Sequence, residues 1–230
     1  MPGLFITGTD TGIGKTTVAC GLLSVLKEMQ LSTAVMKPVA SGCDESSDGL
    51  RNDDAIRLMS CATHQGDYQQ VNPYAFLPAI APHIAASDRG INVSIDAIVR
   101  AARELEQQAG VLLVEGAGGW LVPLNEHQST ADLAVALNYP VIMVVGMRLG
   151  CINHALLTSA AIDASGMTLA GWVANNIEPD MARARDTLIG LKERLTLPCL
   201  GEFPYMHQPN LAKCGHFLNA TLIQSVIKNL

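Results

Sequence analysis

Gly8-Thr9-Asp10-Thr11-Gly12-Ile13-Gly14-Lys15-Thr16-Thr17 follows the short apolar run Leu4-Phe5-Ile6 and opens onto a segment with helical spacing from Val18 to Met29. Strand, glycine-rich turn and helix in that order read as a phosphate-binding loop. Glycines let the backbone turn its N–H groups onto phosphate oxygens, Lys15 reaches the outer phosphates, and the Thr16 hydroxyl is placed to ligate Mg²⁺ at the positive end of the helix. The spacing is looser than the usual pattern, because five residues separate Gly8 from Gly14-Lys15-Thr16 where four are common.

Outward from this loop, strand-like apolar runs recur at Leu4-Thr7, Thr33-Met36, Val111-Val114, Val141-Val145, Leu169-Ala174 and around Cys199-Gly201. Helical spacing fills the intervals at Thr16-Met29, Asp53-Cys61, Ile95-Ala109, Thr130-Leu137, Cys151-Ser165, Pro179-Leu195 and Leu218-Lys228. Near-continuous Val, Ile and Leu runs suit strands buried on both faces, and their alternation with helices predicts a mainly parallel sheet covered on both sides. No internal repeat, low-complexity tract or linker divides the 230 residues, so a single α/β domain is expected.

The net charge of -6 provides no basic stripe for a nucleic-acid backbone, and no run of about 18 apolar residues suggests a membrane span. The six cysteines are scattered without a C-x-x-C pair, and no leader precedes the first strand; a cytoplasmic protein with free thiols is expected. The six histidines show no metal-ligand spacing. His83 and His154 are the two expected nearest the functional crevice, in structural roles.

In parallel α/β sheets ligands sit outside the carboxyl ends of the strands. Lys37 in Lys37-Pro38-Val39-Ala40-Ser41-Gly42 leaves the second strand there and is either a solvated lysine or a second positive charge aimed at a transferring phosphoryl group. On the latter reading Lys37→Gln costs turnover and leaves the fold intact. Asp53 and Asp54 begin a helix; Asp53 reads as its cap, while Asp54 either faces inward to Mg²⁺ or is one more acid at a helix start. Val111-Leu112-Leu113-Val114-Glu115-Gly116-Ala117-Gly118-Gly119 has the form of a strand that fixes a carboxylate near Mg²⁺ and then lets the backbone approach phosphates. Gly150-Cys151-Ile152-Asn153-His154 opens another helix, whose N–H groups make an anion site unless Asn153 or His154 simply caps it. Asn175-Asn176 ends a strand with two amides, which either read an adenine edge or form a turn.

Together, Gly8 to Thr11 with Gly14-Lys15-Thr16, Lys37 to Gly42, Arg51-Asn52 with Asp54-Ala55, Asn72-Pro73-Tyr74, Pro82-His83-Ile84-Ala85, Glu115 to Trp120, Leu149 to His154 and Gly171 to Asn175 resemble the dethiobiotin synthetases. The match is collinear from Gly8 to about Pro204. The resemblance implies one domain over 1–230 and a homodimer whose substrate site is shared between subunits. It also implies an ATP- and Mg²⁺-dependent ligase of biotin synthesis, joining 7,8-diaminononanoate to CO2 or bicarbonate. The family pattern implies Thr16, Asp54 and Glu115 on Mg²⁺, and Lys37 with Lys15 as the catalytic cations. Nucleotide is implied along Gly12, Ile13, Gly14, Lys15, Thr16 and Thr17, along Glu115, Gly116, Ala117 and Gly118, and at Asn175, Asn176, Pro204, Tyr205 and Met206. Substrate is implied at Thr11, Ser41, Gly150, Cys151 and Asn153. Gly12 stands where many members carry an acid. Other ligases of this fold, such as the cobyrinate amidation enzymes, need a glutamine-hydrolysing domain or partner that is not encoded here. ParA/MinD-like switches carry a signature lysine early in the loop, where this chain has Thr9, Asp10 and Thr11.

Overall fold

The first apolar run forms β1 (Gly3–Gly8), which is buried along its whole length. Its side chains alternate between two cores: Leu4 and Ile6 join one apolar cluster, and Phe5 joins the other. The computed structural model describes residues 3–229, so the ends of the expected domain, residues 1, 2 and 230, lie outside the described residues.

From β1 the chain runs through α1 (Lys15–Glu28), β2 (Thr33–Met36), β3 (Val39–Ser41), β4 (Asp44–Ser46), β5 (Gly49–Arg51), α2 (Asp53–Cys61), α3 (Tyr68–Val71), β6 (Tyr74–Phe76), α4 (Pro82–Ser87) and α5 (Ile95–Glu106). It continues through β7 (Val111–Glu115), α6 (Thr130–Leu137), β8 (Val141–Met147), α7 (Cys151–Ala164), β9 (Leu169–Asn176), α8 (Ala184–Arg194), β10 (Cys199–Phe203), a 3₁₀ turn at Leu211–Phe217 and α9 (Ala220–Lys228). Six strands form one parallel sheet in the order β10-β9-β8-β1-β7-β2. Helix α1 covers one face, with Val18, Leu22 and Leu26 against Ile6, Leu113 and Val144; the 3₁₀ turn and α9 extend that layer. Helices α5, α6 and α7 cover the other face, with Ile98, Leu133 and Ile162 in the cluster that holds Leu112, Val114 and Trp172.

Sheet order reverses around β1, which lies between β7 and β8. The loops after β1 and β7 therefore open side by side at the carboxyl edge, where such folds bind ligands.

The structure differs from the sequence reading at three helix ends, two of them with a local cause. The helix expected at Pro179-Leu195 starts at Ala184, because residues 179–183 form turns that end on Arg183 at φ 56. The helix expected from Leu218 starts at Ala220: Leu218 bridges to Gly201, and the Asn219 side chain caps by accepting from the Leu222 N–H. The helix from Ile95 stops at Glu106, short of Ala109. The small β3–β6 pair and the exposed β4–β5 hairpin have strands of only three residues each.

Candidate active site

The loop after β1 holds two glycines in left-handed conformation, Gly12 at φ 72 and Gly14 at φ 81. Gly14 is the N-cap of α1 and has no side-chain cap, so the first N–H groups of the helix remain directed at the cavity. A Cβ at Gly14 would sit 2.2 Å from Asn175 Nδ2, whereas one at Gly12 would meet nothing within 4 Å. Asn175 braces the loop, its Nδ2 donating to the Ile13 carbonyl at 2.7 Å. Lys15 is buried and folds back onto the Asp10 carbonyl at 3.1 Å. Burial, reinforced by the charge of Lys37, lowers its pKa to about 8.

Glu115 ends β7 with no exposed surface. Its Oε1 accepts from Thr16 Oγ1 at 3.0 Å and from Lys37 Nζ at 2.5 Å. The second oxygen, Oε2, is buried without a hydrogen-bond partner. Lys37 Nζ also lies 3.6 Å from Asp54 Oδ2. Burial alone would lower the Lys37 pKa, but the charges of Glu115 and Asp54 outweigh it and the net shift is upward, so Lys37 stays an ammonium. Lys37 is thus not a solvated lysine, and its ammonium makes a buried contact with Glu115. Its removal would strand a buried carboxylate, so Lys37→Gln is expected to lower stability as well as turnover while the fold still forms.

The donor set fits Mg²⁺: a hydroxyl, a partly exposed carboxylate and a buried carboxylate with an unsatisfied oxygen converge on one phosphate-binding loop. Among the described residues no group of three or more His, Cys, Asp or Glu could hold a metal by itself. Phosphate oxygens and water would have to complete the shell, as Mg²⁺ usually requires.

These groups open onto a cavity of about 750 Å³ that also takes in Thr11, Ser41, Ala117 and Gly118. Its lining also includes the apolar residues Val39, Ala40, Ile80, Pro82 and Val122. Ser41 Oγ is buried there without a partner. A second cavity of about 240 Å³ shares Gly12, Gly14 and Thr17 with the first and is bounded by Asn175, Asn176, Pro204, Tyr205 and Met206. The amides of Asn175 and Asn176 are engaged in the fold, the latter donating to the Phe203 carbonyl at 2.6 Å. The Gly116 N–H donates to the Ile6 carbonyl, tying this loop to β1.

Gly150, Cys151 and Asn153 are not among the groups lining either cavity of their own chain. Gly150, at φ 92, is the N-cap of α7, and neither Asn153 nor His154 caps it with a side chain. The Cys151 side chain is in the core and its N–H donates to the Arg148 carbonyl, which leaves the N–H groups of Ile152 and Asn153 in the uncapped first turn. His83 lines a separate cavity with His127 and Asn125.

Asp53 is not the cap of α2; Asn52 is, its Oδ1 accepting from the Ala55 N–H at 3.2 Å, while Asp53 pairs with Arg57 at 3.5 Å. Two further charged groups went unread in the sequence. Arg57, three residues after Asp54 and so near the same helix face, borders both cavities. Arg148 pairs with Asp10 of the phosphate loop, a contact between residues 138 apart that no local pattern announces.

A family model described as an AAA domain (AAA_26) matches residues 2–211. The ATP-dependent dethiobiotin synthetase BioD of Pseudomonas aeruginosa strain UCBPP-PA14 is 53% identical over 220 residues, covering 95% of this chain and 96% of its own length. The protein of the same name from Xanthomonas euvesicatoria pv. vesicatoria is 45% identical over 94% of this chain and 97% of its own. Among solved structures, the MinC:MinD cell division complex of Aquifex aeolicus aligns over 100% of this chain and 95% of its own, with TM-score 0.59 and 14% identity. The septum site-determining protein MinD of Pyrococcus horikoshii, complexed with Mg-ADP, covers 99% and 93% with TM-score 0.55 and 15% identity. At such identities these likenesses show the shared P-loop fold only.

Proposed function

The chain belongs to the ATP-dependent dethiobiotin synthetase family, and from that membership and the cavity geometry we propose that it closes the ureido ring of dethiobiotin from 7,8-diaminononanoate, CO2 and ATP. One observation carries the reading. The main cavity is lined both by the phosphate-binding groups Lys15, Lys37 and Thr16 and by apolar Val39, Ile80 and Val122, which suit an aliphatic chain.

A carbamate formed on one substrate amine is a poor electrophile, because its oxygen is too basic to leave. In the proposed sequence that oxygen attacks the terminal phosphorus of ATP, the P–O bond to ADP breaks, and a carbamic-phosphoric anhydride results. The second amine then attacks the carbamoyl carbon and phosphate departs. Lys15 and the first N–H groups of α1 hold the phosphates. Lys37, kept charged by Glu115 and Asp54, offers a fixed cation to the charge that develops in both steps; it is no proton acceptor. Thr16, Asp54 and Glu115 are the residues that would hold Mg²⁺, which when bound neutralises phosphate charge. Thr11 and Ser41 line the substrate end, and the unpartnered Ser41 hydroxyl supports a polar contact there. The small cavity, walled by Tyr205 and Met206 and bearing Asn175 and Asn176 at its rim, is the proposed place for the base.

The substrate carboxylate would reach α7 of a second subunit, at Gly150, Cys151 and Asn153, making each site shared across a two-fold axis. The uncapped first turn of α7, which lines neither cavity of its own chain, supports this. Phosphate release measured with and without the diamine tests the reading. Release that requires the diamine supports it; equal release without it rejects it.

A further inference from the structure

Two of the motifs carry no role in the chemistry above: Asn72-Pro73-Tyr74, and the Arg51-Asn52 that precedes Asp54. The fold joins them. Asn72 is buried, and its Nδ2 donates to the main-chain carbonyl of Lys37 at 2.6 Å. The Lys37 N–H in turn donates to the Val71 carbonyl at 2.8 Å, so both main-chain polar groups of Lys37 are tied to the same short segment. Asn72 Oδ1 accepts from the Tyr68 hydroxyl at 2.9 Å. The same hydroxyl oxygen accepts from the Asn52 N–H at 2.6 Å. Asn52 is also buried and caps α2 through the Ala55 N–H. Asp54 lies in the first turn of that helix and faces Lys37 Nζ at 3.6 Å. The chain of contacts is a closed ring: from the Lys37 backbone through Asn72, Tyr68 and Asn52 to α2, and from Asp54 back to the Lys37 ammonium.

We propose that Tyr68 and Asn72 are positioning residues that fix the start of α2 against the Lys37 main chain and thereby set where the Asp54 carboxylate stands in the phosphate cavity. The Tyr68 hydroxyl bridges the Asn52 N–H and Asn72 Oδ1, and losing it leaves both without a partner; Asn72 Nδ2 reaches the Tyr74 carbonyl at 3.4 Å as well as that of Lys37. Helix α2 begins after the two-stranded β4–β5 hairpin, whose β4 is fully exposed, and that hairpin gives the helix start little support of its own. The ring supplies what the hairpin does not. A carboxylate that binds Mg²⁺ through such outer contacts loses affinity when they go.

The inference rests on the reading of Lys37 and Asp54 as active-site groups, so its test avoids the ligase reaction. Tyr68→Phe removes one oxygen and keeps the ring under the Arg51 guanidinium, 4.2 Å from its centroid. Asn72→Asp keeps an acceptor for Tyr68 and removes the donor to Lys37. ADP binding to the full chain is followed by calorimetry over a Mg²⁺ series, with wild-type dethiobiotin formation run alongside as the check on the ligase reading itself. The expected result is ADP affinity without Mg²⁺ within about twofold of wild type, and a half-saturating Mg²⁺ concentration raised by about tenfold in each variant. In an Asp54→Asn background, Tyr68→Phe should add less than about twofold, since the carboxylate it positions is gone. The proposal is overturned by an unshifted Mg²⁺ dependence in both variants, by an equal shift in the Asp54→Asn background, or by an equal loss of Mg²⁺-free ADP affinity. Loss of cooperative melting in both variants would also overturn it, by making the ring a folding element.

Discussion

Replacing Lys37 by Gln removes the cation that faces a carboxylate with no exposed surface. Breaking a buried ion pair from one side costs about 3–5 kcal/mol, because the remaining charge stays out of water. Two features place this site at the lower end: Gln can still donate an N–H to Glu115, and the Asp54 side chain is 42% exposed, so water reaches the cavity. A loss of about 3 kcal/mol in a domain of this length lowers the melting temperature by roughly 6–12 °C. Lys37→Gln/Glu115→Gln should recover most of the loss, since it removes the stranded charge as well. Mg²⁺ should raise the melting temperature of Lys37→Gln more than that of wild type, by supplying a cation beside Glu115. Turnover should fall by ~10²-fold or more, the effect of removing a charge aimed at the transition state. Differential scanning calorimetry at fixed pH, with and without Mg²⁺, measures the stability part. A single variant that melts within about 2 °C of wild type, with a double variant no more stable, would refute the buried-pair reasoning.

Lys15 has a folded-state pKa of about 8, below that of an unfolded lysine, so its contribution destabilises the fold fully below that pH and is relieved as pH rises from about 8 towards the unfolded value. ADP binding should restore its proton: at pH 8.5 binding enthalpies should differ between buffers of different ionisation enthalpy, and Lys15→Gln should abolish the difference. Gly14→Ala should weaken ADP binding by ~10²-fold, because its Cβ would meet Asn175 Nδ2 at 2.2 Å and release the brace on Ile13. Gly12→Ala should keep that binding and lose only about 1–2 kcal/mol of stability to left-handed strain, since nothing lies within 4 Å of the added carbon. If the site is shared, inactive Lys37→Gln and Asn153→Trp chains should regain activity on mixing; no recovery after verified subunit exchange would put both groups in one chain's site.

The central sheet is legible because four of its strands, β1, β2, β7 and β8, are mainly apolar runs buried on both faces, and the glycines around Lys15 announce the loop by composition alone. Short elements are not. The three-residue β4, Asp44-Glu45-Ser46, is fully exposed and carries no apolar signal. By residue type Asp53 is as good a cap for α2 as Asn52, and the fold uses Asn52, whose N–H is also held by the Tyr68 hydroxyl. Lys37 and Glu115 were each found as chemically unusual, yet their pairing spans 78 residues of sequence and depends on β7 lying between β1 and β2 in the sheet. For the same reason the stability cost of removing Lys37 could not be read from its neighbours. The sequence pattern points Asn175 at the base, and its brace on the phosphate loop, across 162 residues, emerges only from the fold.

In the proposed reaction, carbon from CO2 is built into a cyclic urea at the expense of one terminal phosphate of ATP. Wild-type protein incubated with ATP, Mg²⁺, 7,8-diaminononanoate and ¹³C-bicarbonate, followed by mass spectrometry and phosphate assay, measures it directly. The predicted result is dethiobiotin carrying the label in its ureido carbon, in equal amount to the phosphate released. Phosphate release without labelled dethiobiotin, or product formed at the same rate without ATP, would contradict it.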